Sequence, residues 1–268
     1  MVSAAKRCEG IGKRMGKTVL ITGASSGFGA QAARLFAENG DRLILVARRR
    51  ERLNQLKRKL SGADVLTLQL DVCDRAEVES VLGALPVEFQ AVDVLLNSAG
   101  LALGLDFAHT ADLDDWDTMV KTNINGLTYC THSILPGMVE RNCGHIINIG
   151  STAGTWPYPG GNVYGATKAF VKQFSYNLRA DLLGTPIRVT CIEPGLAQTE
   201  FSNVRFKGDV DKSSAVYEGT QPLTPENIAD VIFWVTQQPP HVNVNSIEIM
   251  PVCQGHGALN VHRERALA

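Results

Sequence analysis

Short, unbroken apolar runs alternate with stretches of helical periodicity from residue 18 to residue 250, and no other feature restricts the fold of this chain as much. Thr18-Val-Leu-Ile-Thr22, Arg42-Leu-Ile-Leu-Val-Ala47 and His145-Ile-Ile-Asn-Ile149 lack the polar alternation of a strand with one wet face. They read as strands buried on both faces of a parallel sheet. Further strands are predicted at 65–70, 92–96, 188–192 and 246–250. Helical spacing fills the intervals at 27–39, 49–60, 75–85, 126–141, 162–181 and 224–237. The last helix opens with Thr224 as N-cap and Pro225 in the first helical position, a strong start signal. Strand–helix alternation with right-handed crossovers gives one doubly wound α/β sheet of about seven parallel strands, covered by helices on both faces. No repeat or linker divides the chain, so a single domain over 16–268 is expected. It follows a basic leader, 1–15, read as disordered or as preceding a true start at Met15. The irregular stretch 196–223 is long for a plain connection and reads as a substrate lid.

Composition narrows the functional classes. Of 268 residues, 44% are hydrophobic, and 26 Lys+Arg face 27 Asp+Glu, leaving a net charge of −1. That balance gives no field to recruit nucleic acid or an anionic membrane, and no aromatic residues interleave with the leader's cations to stack bases. No run reaches the roughly 20 apolar residues of a bilayer span, and the leader has no apolar core of a secretory signal. Cys8, Cys73, Cys130, Cys143, Cys191 and Cys253 form no CxxC and no zinc spacing. Reduced thiols, no metal and a cytoplasmic location are the expectation.

The chemistry concentrates at the strand ends. Thr22-Gly-Ala-Ser-Ser-Gly-Phe-Gly29 joins the first strand to the first helix. Glycines there allow backbone N–H groups to approach a pyrophosphate at the helix N-terminus, although such a turn on its own is also ordinary loop chemistry. Where an NAD enzyme carries an acid on the ribose, the second strand ends in Ala47-Arg-Arg-Arg50, with no carboxylate in that segment. Arg48 and Arg49 suit the 2′-phosphate of NADP; the plainer alternative is a solvated start to the next helix. Tyr164-Gly-Ala-Thr-Lys168 places a phenol and an ammonium on one helical face. At about 4 Å and an effective dielectric of about 20, that charge is worth up to about three units of phenol pKa. The pair then reads as a proton donor and its tuning cation, with a snorkelling surface pair as the alternative reading of the same spacing. Asn97-Ser-Ala-Gly100, Asn123, Ser151 and Pro194-Gly195 with Thr199 all fall at carboxyl ends of predicted strands or at the following helix starts. That is where open α/β sheets bind ligands.

Taken in this order, the motifs from Lys17 to Val252 resemble the short-chain dehydrogenase/reductase family. The resemblance implies a Rossmann-type fold and an NADP-dependent oxidoreductase. It implies that Tyr164 is the acid/base, that Lys168 lowers its pKa and holds the nicotinamide ribose, and that Ser151 polarises the substrate carbonyl. Asn123 would hold a water of the proton relay and Asp71 would contact the adenine. The cofactor would lie along Gly23, Ser25, Ser26, Gly27, Phe28 and Gly29, reach Arg48, Arg49, Asp71 and Val72, and pass Asn97, Ala99 and Gly100. It would end near Tyr164, Lys168, Pro194, Gly195 and Thr199. The family's usual pair of asparagines before Ala-Gly is here Asn97-Ser98, a departure on the adenine side. The segments 156–161, 201–208 and 259–263 are similar to the NADP-dependent 3-hydroxy acid dehydrogenases. Those enzymes act on serine or L-allo-threonine and reduce malonic semialdehyde, as homotetramers. A small anionic substrate needs a cation near Tyr164, and the expected lid offers Arg205 first and Lys207 second. A bulkier ketone substrate and a non-catalytic NADP-binding regulator are the competing readings.

Overall fold

The structure, a computed structural model, describes residues 16–257. The predicted leader and the 259–263 segment lie outside the described residues. Seven parallel strands form one sheet: β1 (Thr18–Thr22), β2 (Arg42–Ala47), β3 (Val65–Gln69), β4 (Val94–Asn97), β5 (His145–Ile149), β6 (Arg188–Pro194) and β7 (Ser246–Ile249). Their order is β3-β2-β1-β4-β5-β6-β7, so the chain builds outward in one direction from β1 and then restarts beside it at β4. Adjacent strand ends leave their connections on opposite sides at that reversal, which opens a crevice above β1 and β4.

The pleat of β1 sorts the core. Val19 and Ile21 point to one face and pack with Phe36, Leu53 and Ile228. These come from α1 (Gly27–Glu38), α2 (Arg50–Lys59) and α9 (Pro225–Thr236). Leu20 points to the other face, with Val78, Met138 and Leu178, from α3 (Arg75–Gly83), α5 (Leu127–Arg141) and α6 (Asn162–Asp181). Both faces are dry along the inner strands, which is why β1, β2 and β5 read as continuous apolar runs rather than alternating ones. The Thr224 hydroxyl accepts from the Asn227 N–H at 3.4 Å, and the Asn227 side chain reciprocates on the Thr224 N–H at 3.0 Å, completing a cap at the predicted start of α9.

Two differences from the sequence reading stand out. A helix α4 (Leu113–Val120) precedes α5 and runs into it through a π-helical turn, Lys121–Gly126. Only Met119 of α4 is fully buried, so its apolar stripe is too narrow to stand out among the acidic residues around it. The segment expected to be irregular folds two short helices, α7 (Phe201–Arg205) and α8 (Val210–Ala215). Its ends are tied by Gln198 N–H to Leu223 O at 2.8 Å and Leu223 N–H to Leu196 O at 2.9 Å. Among the described cysteines, Cys73, Cys130, Cys191 and Cys253 are free thiols, as expected. No described helix is long and apolar enough to cross a membrane.

Candidate active site

A cleft of about 300 Å³ opens at the carboxyl ends of the strands, at the reversal of strand order. Its floor is the turn from β1 into α1. Gly23 holds φ +68°, and a Cβ there would lie 2.8 Å from Ala99 N. Gly29 does not line the cleft; a Cβ on it would lie 2.7 Å from Gly23 O. The two positions therefore need glycine for different reasons, one for conformation and one for helix–turn contact. The first turn of α1 thereby faces the cleft beside Ser25, Ser26 and Phe28, with its unpaired N–H groups directed outward.

Arg48, Arg49, Asp71 and Val72 line one end of the cleft, as expected. Arg49 lies over the turn: Nε and Nη2 donate to Ser25 Oγ at 3.2 and 3.0 Å, and Nη2 donates to Ser26 Oγ at 2.8 Å. Sequence reading found no carboxylate beside these arginines, yet the fold supplies one. Glu200, at the start of α7, accepts from Arg49 Nη1 at 3.0 Å and from Arg52 Nη1. Asn97 corrects another expectation. At the last position of β4 it points inward, donating to Thr131 Oγ1 at 3.0 Å and Asn148 Oδ1 at 2.9 Å, and it does not line the cleft. Ser98, Ala99 and Gly100 line it instead.

The opposite end assembles the expected polar corner. Ser151 follows β5 and caps a 3-10 turn, accepting from Ala153 N–H at 3.1 Å. Tyr164 and Lys168 project from the first turns of α6, 8% and 7% exposed. Burial pushes the Tyr164 phenol up to about 12; a hydrogen bond with Ser151 pulls it down, the Tyr158 phenol pushes it up, and the Arg205 guanidinium pulls it down. Lys168 is a second cation beside the ring. Its Nζ donates to Ile149 O at 2.8 Å and sits 5.9 Å from the Tyr164 ring centre, and burial lowers its own pKa to about 8. Asn123 lies in the π-helical turn, where both its amide hydrogens are spent, on Leu101 O at 2.8 Å and Thr167 Oγ1 at 3.0 Å. Its side chain thus pins the loop after β4 to α6.

Of Arg205 and Lys207 on the lid, the structure brings Arg205 to this corner. The Arg205 Cζ lies 5.4 Å from the Tyr164 ring centre, Nη2 donates to Tyr158 Oη at 2.6 Å and Nε to Gly104 O at 3.2 Å. Lys207 turns outward to Asp115 at 2.9 Å. Pro194, Gly195 and Thr199 line the cleft as expected, together with Glu200, Phe201 and Val204, which sequence reading missed. Glu200 is 151 positions from its partner Arg49, beyond any local signal.

Comparison with known proteins matches this arrangement. The family model for short chain dehydrogenase matches residues 17–209. An NADP-dependent 3-hydroxy acid dehydrogenase of Salmonella typhi is 60% identical over 91% of this chain and 99% of its own. A sulfoacetaldehyde reductase of Chromohalobacter salexigens is 52% identical over 93% of this chain and 100% of its own. The closed form of a serine dehydrogenase complexed with NADP+ superposes with a TM-score of 0.90 at 57% identity, covering 92% of this chain and all of that one. Since the matched span takes in the glycine turn, the helix bearing Tyr164 and the entrance to the lid, the chain belongs to the short chain dehydrogenase family.

Proposed function

We propose that the protein is an NADP-dependent 3-hydroxy acid dehydrogenase, interconverting short 3-hydroxy acids such as serine, L-allo-threonine or 3-hydroxypropionate with their 3-oxo forms. In this reading it acts in the cytoplasm as a homotetramer, without membrane or nucleic-acid partners. The observation that carries the substrate class is Arg205, a guanidinium set against the face of Tyr164 by Tyr158 and Gly104. A three-carbon acid offers little apolar surface, so its carboxylate must provide the orientation, and a planar fork suits it. The relatives' names point the same way, to substrates with a carboxylate or a sulfonate. Apolar side chains left outside the core, Phe170 and Tyr176 on α6 and Val139 on α5, support the assembly.

The cleft fits a dinucleotide phosphate on two counts. Its glycine turn leaves no room for a Cβ at Gly23, and its far end is lined by Arg48 and Arg49. Ser25, Ser26 and the first turn of α1 would hold the pyrophosphate, Arg48 and Arg49 the 2′-phosphate, Asp71 and Val72 the adenine side, and Lys168 the ribose near the catalytic corner. When bound, NADP accepts or supplies the hydride. In reduction, the Tyr164 O–H gives its proton to the carbonyl oxygen; oxidation is the reverse and needs the phenol to lose its proton first, which the Ser151 hydroxyl and the Arg205 charge favour against burial. Ser151 holds that same oxygen, and Arg205 holds the carboxylate. Asn123 acts as a positioning residue through Leu101 and Thr167.

The test compares malonic semialdehyde with an uncharged aldehyde of equal size, following NADPH consumption. Arg205→Ala should lower kcat/KM for the acid by about 10- to 100-fold, one charge-assisted bond, and leave the uncharged aldehyde within about threefold. Equal losses on both, or faster turnover of bulky ketones by the unmodified protein, would overturn the reading.

A further inference from the structure

We propose that Glu200 sets the strength of cofactor selection by competing with the 2′-phosphate for Arg49, an inference that rests on reading Arg49 as a phosphate partner. All three guanidinium nitrogens of Arg49 are engaged: Nε and Nη2 on the Ser25 and Ser26 hydroxyls, Nη1 on Glu200. A phosphate arriving at this end of the cleft meets a fork whose charged partner is already present. Glu200 itself lines the cleft beside Arg49, so its carboxylate and an anion held by Arg49 would compete for the same guanidinium.

The geometry makes the exchange inexpensive. The Arg49 and Glu200 side chains are 43% and 42% exposed, and pairs that open to water contribute little. Partial burial pushes the Glu200 carboxyl up, but hydrogen bonds from Arg52 and Arg49 hold it below its ordinary value; it is therefore an anion at neutral pH. Its two oxygens have separate partners, Oε2 on Arg49 and Oε1 on Arg52. Arg52 does not line the cleft. When a dianionic phosphate takes Arg49, Oε1 keeps its hold on Arg52, and α7 stays tethered to the body of the domain. One carboxylate thus serves as an exchangeable counter-ion on one side and an anchor on the other. A non-phosphorylated ribose leaves the Arg49–Glu200 pair intact, so the competition penalises the phosphorylated cofactor alone.

The experiment is a fluorescence titration of NADPH and NADH on the purified protein, with adenosine 2′,5′-bisphosphate as competitor to isolate the adenosine end. Glu200→Gln keeps the shape and removes the charge. It should tighten NADPH and the bisphosphate by about three- to tenfold, one exposed ion pair and one screened repulsion, and leave NADH within about twofold. Arg49→Ala should weaken NADPH by about tenfold or more and spare NADH. If Arg49→Ala behaves so while Glu200→Gln leaves NADPH binding unchanged or weaker, Glu200 organises the arginine rather than competing for it, and the inference falls alone. If Arg49→Ala weakens both cofactors equally, the phosphate reading of Arg49 falls and takes the competition with it.

Discussion

Tyr164 keeps its proton in a pocket that burial makes hostile to a phenolate, with its pKa raised to about 12. Two neighbours work against that burial, the Ser151 hydroxyl and the Arg205 guanidinium. Replacing Tyr164 by Phe removes the hydroxyl and little else, because the ring keeps its contact with Phe201 at 5.5 Å between centres. We expect kcat to fall by at least about 10² with the NADPH dissociation constant unchanged, as read by stopped-flow turnover and fluorescence titration. A variant retaining near-native turnover would place the acid elsewhere. At this scale the sequence was informative about type and spacing, and silent about direction. Tyr164, Lys168 and Ser151 meet because one lies at a strand end and two lie four apart on the next helix. That a second cation, Arg205, faces the phenol is decided by where the lid returns, and spacing within α6 says nothing of that. Asn97 misled for a related reason: a strand's last side chain alternates inward or outward, and only the packing of Thr131 and Asn148 fixes which.

Strands were the most legible elements, the dry inner ones by their apolar runs. Strands β1, β2 and β5 carry nearly unbroken apolar runs because helices cover both faces, and the predicted bounds of all seven strands agree to within two residues. The π-helical turn Lys121–Gly126 left no trace in periodicity, and α4 exposes Leu113 and Val120. Its start was nonetheless encoded, since the Asp112 side chain accepts from Asp114 N–H at 2.9 Å as an N-cap does. The β1–α1 turn supports a prediction that separates element geometry from direct contact. Gly29 does not line the cleft, yet a Cβ there would press on Gly23 O at 2.7 Å. Gly29→Ala must therefore move the helix away from the turn that presents its N–H groups. NADPH affinity should drop by about tenfold or more, with stability lowered by about 1–3 kcal/mol from overpacking. Titration and thermal unfolding measure the two effects. Unchanged affinity would show that the contact between α1 and the turn is not what shapes the cleft.

The whole molecule is built on different rules at its two ends. At the amino ends of the strands, charged groups are tied down. Lys17 N–H donates to Asp41 at 2.8 Å and Lys17 Nζ to Thr236 O at 3.0 Å, while Arg188 reaches the carbonyls of Val235, Thr236 and Gln238. At the carboxyl ends, the cleft holds Lys168 buried with its Nζ on the Ile149 carbonyl, and burial lowers its pKa from 10.5 to about 8. That difference acts on global stability with a definite sign. Between pH 8 and 10.5 the unfolded chain keeps the lysine proton and the folded chain has released it, so the unfolded state binds more protons. Stability from this group therefore rises with pH across that window and is at its lowest below about 8. Lys168→Met removes the buried charge while keeping the length of the side chain. Free of cofactor, this variant should be more stable than the unmodified protein at pH 7 by about 1–3 kcal/mol, the desolvation cost less one lost hydrogen bond. The advantage should shrink steadily from pH 8 to 10 as the native lysine becomes neutral. Urea unfolding at pH 7, 8, 9 and 10 measures it directly. A variant less stable at pH 7, or a difference independent of pH, would mean that Lys168 supports the fold and is not a charge held against its solvation for the sake of the site.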